Sequence, residues 1–415
     1  MTDIAGRGGR VSLGEHTGLG AMRGGGEADG GTLQGFRLNA AFVADWWHTI
    51  DRWLLAVVLV LVATGLVLGL AASPPLAEKN GLWTYHYVVR QAIFVIMGLC
   101  IVVTVSTMPV VWLRRGGVLA FIACLAALCA LPWFGTDFGK GATRWYSLGF
   151  MSVQPAEFLK PAFVVAAAWV MAGSFERGGP PGRVITGIFA TLIAGVLALQ
   201  PDFGQAMLLL AVWASMLFVS GAPMVLLVGL AGAVTVAGLV AYANSEHVAR
   251  RIDGYFQSEV DPHTQLAYAE AAIREGALLG VGPAQGSVKW TLPDAHTDFI
   301  IAVAAEEFGL VLTLAIIGCF LFITLRALGR ILEERCMFTR LAGTGLAVAF
   351  GLQAFVNLAV AIRLLPAKGM TLPFISYGGS SMMAAAVAMG VLLALTRTRP
   401  QDPASMLRAE IDGAR

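Results

Sequence analysis

Ten stretches of roughly twenty residues in this chain are almost wholly apolar, and that sets the fold class before any other feature does. A bilayer core of about 30 Å needs about 20 such residues per helix. The stretches run over 53–72, 91–108, 117–134, 157–173, 184–199, 203–219, 223–243, 299–325, 341–362 and 382–395. Only 13% of the residues are charged and 57% are hydrophobic, against about 25% charged in a soluble domain, so a water-soluble globule is excluded. The expected fold is an all-α polytopic membrane protein of about ten transmembrane helices. Residues 46–398 form its membrane domain, with a large extracytoplasmic loop at 244–298 between the seventh and eighth spans. Residues 1–45 and 399–415 are expected to be cytoplasmic tails. The first is rich in Gly and Arg, has no apolar core of 7 to 15 residues and so is not a secretory signal; its composition predicts disorder.

Charge and cysteine content narrow the function. The 28 Lys+Arg and 26 Asp+Glu residues are spread thinly, without the clustered basic face of a nucleic-acid binder. The five cysteines, Cys100, Cys124, Cys129, Cys319 and Cys336, have no metal-ligand spacing, and four lie in apolar runs. They read as small core residues rather than a disulfide or zinc framework, and no cofactor follows from them.

Cytoplasmic loops carry the excess of Lys and Arg. With the N-terminus inside, ten spans bring the C-terminus inside as well, and 17 of the 28 basic residues then lie on the cytoplasmic side. All five lysines (Lys79, Lys140, Lys160, Lys289 and Lys368) fall on the outer side. Trp46, Trp47 and Trp53 precede the first span, as interfacial anchors do. The outer segments 135–155, 244–298 and 363–381 are dense in Gly, Pro, charged and aromatic residues. Loops held on a rigid scaffold are where function concentrates, so the active face is expected to be extracytoplasmic. Gly280-Val281-Gly282 opens like a dinucleotide loop, but Gln285 takes the third glycine's place and no strand precedes it.

Four constellations could carry chemistry. In the first, Gly141-Ala142-Thr143-Arg144-Trp145 is followed by Gln154-Pro155-Ala156-Glu157-Phe158-Leu159-Lys160. Pro155 suits a first helical turn, and Glu157 and Lys160, three apart, share a face. The pair reads as a capped helix start with a local ion pair, or as a lysine awaiting a phosphate. The second is Gln200-Pro201-Asp202-Phe203-Gly204-Gln205, where Asp202 reads first as a helix cap. The third, Leu292-Pro293-Asp294-Ala295-His296-Thr297-Asp298-Phe299, runs into the eighth span. Asp298 reads as a helix cap or as a functional acid, since ionisable groups at membrane depth are costly. Glu306 and Glu307, two turns deeper, read as internal ion pairs or polar helix contacts. The fourth spans 364–381 and includes Lys368, Ser376 and Ser380. Its two prolines and three glycines rule out a continuous helix, and irregular backbone at membrane depth requires protein or a water-filled cavity to receive its polar groups.

At these four places the sequence resembles the SEDS family of bacterial cell-wall synthases, over about 53–395. The run from Leu292 to Phe299, followed by Ala304-Ala305-Glu306-Glu307-Phe308-Gly309, is more similar to the division branch of alphaproteobacteria than to the elongation branch. Ala156 stands where the family usually has Ser, and Glu275-Gly276-Ala277 where it usually has a glycine pair; neither change removes a titratable group.

The resemblance implies a peptidoglycan glycosyltransferase that uses lipid II as donor and acceptor. It matches Asp298 to the family's essential aspartate, the candidate general base. Arg144, Lys160 and Lys368 become candidates for the pyrophosphate, with Glu157 positioning Lys160. Trp145, Gln154, Asp202, His296, Thr297, Ser376 and Ser380 complete the candidate substrate site. No cofactor is required by the sequence; a divalent cation is compatible with the chemistry, but no ligand spacing demonstrates one. Implied partners are a class B penicillin-binding protein transpeptidase, other division-complex membrane proteins and membrane lipids. The implied location is the bacterial inner membrane at the septum, with a periplasmic active face. A groove open to lipid is expected near the Gly- and Ala-rich stretch 341–361, because both substrates carry prenyl tails. The rival readings are a lipid II flippase and a non-catalytic scaffold of the division machinery.

Overall fold

The computed structural model describes residues 40–136, 143–244, 264–292, 294–366 and 369–398, with Glu246, Ala249 and Asp253. The expected N-terminal tail up to residue 39, the C-terminal tail 399–415, Lys140, Lys368 and much of the loop 244–298 lie outside the described residues. By contact density the chain divides into residues 1–44 and 45–415. The first unit is described only at 40–44, the opening of helix α1 (Ala40–Thr49).

Each expected span is a helix. They are α2 (Arg52–Ala72), α4 (His86–Thr107), α5 (Val110–Phe134), α6 (Pro155–Gly173), α7 (Gly182–Leu199), α8 (Phe203–Val219), α9 (Met224–Asn244), α11 (Ile300–Leu332), α12 (Met337–Ala361) and α13 (Gly379–Leu395). Short helices α3 (Pro74–Lys79) and α10 (Gln265–Gly276) lie between them, with an antiparallel hairpin of β1 (Tyr146–Ser147) and β2 (Ser152–Val153). Among the described residues eight helices are long and apolar enough to cross a membrane; α8 and α13 are 17-residue apolar helices, at the short end of the spanning range.

Helices α6, α12 and α13 form the centre, with 14 of 19, 16 of 25 and 13 of 17 residues buried. By contrast α9 buries none of its residues, and a helix that is apolar all round and unburied needs lipid against it. Two expectations are corrected here. None of the five cysteines is buried, and Cys100, Cys129 and Cys336 are exposed, because in a membrane protein an apolar run faces lipid as readily as core. The eighth span is not one helix: Gly309, at φ 77° and ψ −173°, breaks α11.

Polar contacts fix the two ends of the bundle. At one end Asp51 caps α2, accepting from the Trp53 and Leu54 amides at 3.1 and 3.3 Å. The same carboxylate takes the Nε of Arg326 at 2.9 Å and of Arg330 at 3.0 Å, while Arg330 also donates to the Thr396 carbonyl at 3.2 Å. The Thr398 amide donates to Thr49 O at 3.0 Å. The start of α2 and the ends of α11 and α13 therefore share one end, as an even number of crossings requires. The Asp51 side chain is 1% exposed, its two arginines 30% and 35%. Asp51→Ala removes a cap and strands two partly solvated cations, and is expected to lower stability by about 2 kcal/mol. Unfolding in detergent micelles checks this, and an unchanged midpoint would contradict the clamp.

Candidate active site

At the opposite end the segment entering α11 is docked by its backbone. Three successive carbonyls are each captured: His296 O by the Tyr377 amide at 3.0 Å, Thr297 O by Ser376 Oγ, and Asp298 O by Asn357 Nδ2 at 2.9 Å. Ser376 Oγ also accepts from the Leu372 amide at 2.9 Å, and Asn357 Nδ2 also donates to Met370 O. The N-cap position of α11 is Phe299, without a side-chain cap bond, so Asp298 sits one residue before the cap. Its carboxylate is half-buried beside Gly369, where an added Cβ would stand 3.5 Å from Oδ2.

Asn357, 3% exposed, thus ties Asp298 to the irregular segment opposite. Asn357→Leu strands two carbonyls, each costing about 1–3 kcal/mol if left unpaired in the interior. We expect a large loss of polymerisation together with a lowered unfolding midpoint; a fully active, fully stable variant would contradict this docking.

The described stretch 369–378 of the irregular segment has backbone groups received by protein, as membrane depth demands. Gln91 Nε2, buried in α4, donates to Ile375 O and to Gly65 O, both at 3.1 Å. Only glycine fits at 65, since a Cβ there would lie 2.6 Å from Phe374 O.

The first two constellations converge on a buried polar chain. Pro155 opens α6 and places Glu157 and Lys160 on one face, with Lys160 Nζ 2.9 Å from Glu157 Oε2. Glu157 Oε1 accepts from Gln205 Nε2 at 2.6 Å, and Lys160 donates to Gln353 Oε1 at 2.8 Å. Gln353 passes the chain on to Thr371 O at 3.0 Å, and Thr371 shares a hydroxyl contact with Ser381. These described partners account for two of the three lysine donors. A cavity of about 40 Å³, lined in part by Glu157, Lys160, Gln353 and Ser381, has room for a water or two.

Asp202 caps α8 through the Gln205 amide at 3.4 Å and accepts from Gln154 Nε2 at 3.4 Å. Arg144 lies beside it, its Nε on Gln200 O at 2.9 Å and Nη2 on Pro201 O at 2.8 Å, so it pins the α7–α8 turn. Burial pushes the Asp202 carboxyl above the usual carboxylate range, against the opposing pull of Arg144 and the Gln205 amide. A raised folded-state pKa means the folded protein holds this proton more tightly than the unfolded chain does. Stability therefore falls as pH climbs from the unfolded value of about 3.9 through the raised one, and the deficit persists above it. Asp202→Asn keeps a good cap and is expected to equal wild type in acid and to gain on it towards neutral pH. Unfolding midpoints across that range test this; a neutral-pH loss larger than the acid one would contradict it.

His296 joins Tyr87 and Tyr377 in an aromatic cluster, with centroids 5.4 to 5.9 Å apart. Thr297 is half-buried in the acid's turn, while Ser380 is buried in the first turn of α13. Trp145, half-buried, bridges to Thr136 before the hairpin. Among the described residues, no three His, Cys, Asp or Glu side chains stand together as a metal site.

Next to the acid's helix is an apolar groove of about 510 Å³. Its walls include Ile301, Ala305, Leu310, Thr313, Leu358 and Ile362. Ile301 lies one turn past Asp298, and Leu358 follows Asn357.

Fold and site together define a polytopic membrane protein whose acid, cations and amides collect at one end of the bundle beside an apolar groove. The chain belongs to the family described as "Cell cycle protein", FTSW_RODA_SPOVE, matched over residues 51–401. It is 38% identical, over 86% of its length and 91% of the relative's, to the "Probable peptidoglycan glycosyltransferase FtsW" of Caulobacter vibrioides. Among solved structures it is similar to a chain reported under "Structural coordination of polymerization and crosslinking by a peptidoglycan synthase complex". That likeness has a TM-score of 0.70 and 28% identity, covering 85% of this chain and 99% of that one. It is also similar to the Rod shape determining protein RodA of Thermus thermophilus, with a TM-score of 0.62 and 28% identity over 86% and 99% of the two chains. The family, the glycosyltransferase class and the nearness to the alphaproteobacterial division branch expected from the motifs agree with these likenesses.

Proposed function

We propose that this protein, a peptidoglycan glycosyltransferase by its family, polymerises lipid II into glycan strands with Asp298 as the general base. The acceptor's GlcNAc 4-hydroxyl is far too weak an acid to attack unaided at neutral pH. Asp298 takes its proton as the oxygen bonds to the donor's anomeric carbon. The bond from that carbon to the pyrophosphate oxygen breaks, and undecaprenyl pyrophosphate leaves with its negative charge. Arg144, Lys160 and Lys368 supply the positive field that steadies this charge, with Glu157 holding Lys160. Gln154, Asp202, Trp145, His296, Thr297, Ser376 and Ser380 shape the surroundings. A divalent cation would act on the same pyrophosphate.

The observation that carries this reading is Asp298 itself, half-buried, its loop docked through three backbone carbonyls beside an apolar groove. A carboxylate held rigidly at such a boundary can meet a sugar whose prenyl tail stays in lipid. The groove's volume falls within the range of ligand sites, about 300–1,000 Å³. Flipping lipid II would call for a large polar passage near the midplane, whereas the cavity at Lys160 measures about 40 Å³.

We place the protein in the bacterial inner membrane, both termini cytoplasmic and the Asp298 end periplasmic, working at the division septum. Its partners on this reading are a class B penicillin-binding protein, further division-complex membrane proteins and the lipids around it. The copurified pair, supplied with labelled lipid II with and without chelator, is the test. Glycan strands support the assignment, and their loss on chelation adds the cation. Transbilayer movement of lipid II without strands would replace the polymerase by a flippase.

A further inference from the structure

The most deeply buried acids of the site end have no part in the chemistry above. Glu306 and Glu307 are 0% and 1% exposed, and they sit at the end of the short helical piece that Gly309 cuts from α11. A helix C-terminus is a poor place for a carboxylate, and one segment partners both, Glu306 through Oε1 with its Oε2 left buried and without a hydrogen bond. Glu306 Oε1 accepts from the amides of Ser287 and Val288, the latter at 2.8 Å. Glu307 Oε2 accepts from the Ala284 amide at 2.7 Å, and its Oε1 pairs with Lys289, itself 5% exposed. The same segment fills the break. The Val281 and Gly282 amides donate to Glu306 O and Glu307 O at 2.9 and 3.1 Å, and the Leu310 amide donates to Ala277 O at 3.0 Å.

The Lys289–Glu307 pair spans a separation of 18 residues, and Asp298 is its midpoint, nine residues from each end (298 − 289 and 307 − 298). Stability alone does not explain such a pair, because replacing a buried ion pair by neutral groups of similar volume is often neutral or stabilising. Geometry does explain it: the pair closes the loop whose far side is held by Asn357, Ser376 and Tyr377.

We propose that Lys289 and Glu307, backed by Glu306, are positioning residues for Asp298, closing its loop from the side opposite Asn357 so that the carboxylate is held towards the acceptor hydroxyl. This rests on the reading of Asp298 as the base. The test uses the full chain copurified with its penicillin-binding protein. In Lys289→Met/Glu307→Gln both charges go and volume is nearly kept. The unfolding midpoint is expected to stay near wild type while kcat falls about a hundredfold, as a misplacement of about 1 Å would cause, with KM for lipid II unchanged. Lys289→Arg, which keeps the pair, should restore most of kcat.

A cysteine at 298 (Asp298→Cys), in a chain whose five native cysteines are replaced by serine, labelled by maleimide with and without the double substitution, reports placement independently of turnover. A changed labelling rate supports the brace even if Asp298→Asn polymerised normally, in which case only the base assignment falls. Wild-type kcat and an unchanged labelling rate would overturn the proposal, as would activity lost only in step with folded protein. Should the double variant fail to fold, Lys289→Gln/Glu307→Gln, which also removes both charges and lets the two amides hydrogen-bond to each other, is read in the same two ways.

Discussion

A folded Asp298→Asn protein is expected to polymerise lipid II about 10²–10⁴-fold more slowly than wild type, the usual worth of a positioned general base. The substitution keeps shape, and it leaves in place the three docking bonds that backbone carbonyls of this turn accept. Folding and lipid II binding should therefore survive while the proton acceptor is lost. Single-turnover strand formation, alongside an unfolding midpoint and a binding measurement, separates these quantities. Loss of binding or of folding in parallel with rate would move Asp298 from chemistry to structure.

The second large effect concerns stability. Glu157 and Lys160 have side chains 6% and 9% exposed, so deleting one partner leaves the other charged in the interior. Lys160→Met is expected to cost about 3–5 kcal/mol. The double variant Glu157→Gln/Lys160→Met should be much closer to wild type, since Gln still accepts from Gln205 and the charge pair is removed whole. Equilibrium unfolding of both variants in the same detergent checks the order. If the single and double variants fell equally, the pair would not be energetically coupled, and the buried chain from Gln205 to Gln353 would lose its meaning.

Span number and approximate position were legible because membrane thickness fixes helix length, a constraint that needs no tertiary information. The ion pair of Glu157 with Lys160 and the cap at Asp202 were legible for a similar reason, being local in sequence. What stayed hidden is non-local. Gly309 looks like any glycine in an apolar run, and its break exists only because 276–288 comes to fill it. Gln353 and Asn357 are amides four apart in a largely apolar helix. They were missed because a search for titratable groups passes over them, although an interhelical hydrogen bond is what such residues commonly supply within a membrane bundle. The cysteines were misplaced because apolar periodicity cannot separate a lipid-facing position from a core one. The sequence leaves Lys160 open to a phosphate, whereas in the fold its ammonium is held by Glu157 and Gln353.

Asn357, Ser376 and the Tyr377 amide join the acid's turn to 369–378. On the proposed reading, a substrate reaching Asp298 along the groove would meet an acid whose loop is already docked, which lowers the ordering cost of the reaction.

Chemical rescue tests the role of Asp298 most directly. In the Asp298→Ala protein, copurified with its partner and supplied with lipid II, strand formation should be nearly abolished and should return in proportion to added formate, which restores a carboxylate base in the space left by the side chain. Strand formation by Asp298→Ala at the wild-type rate, without any added acid anion, would contradict the assignment outright.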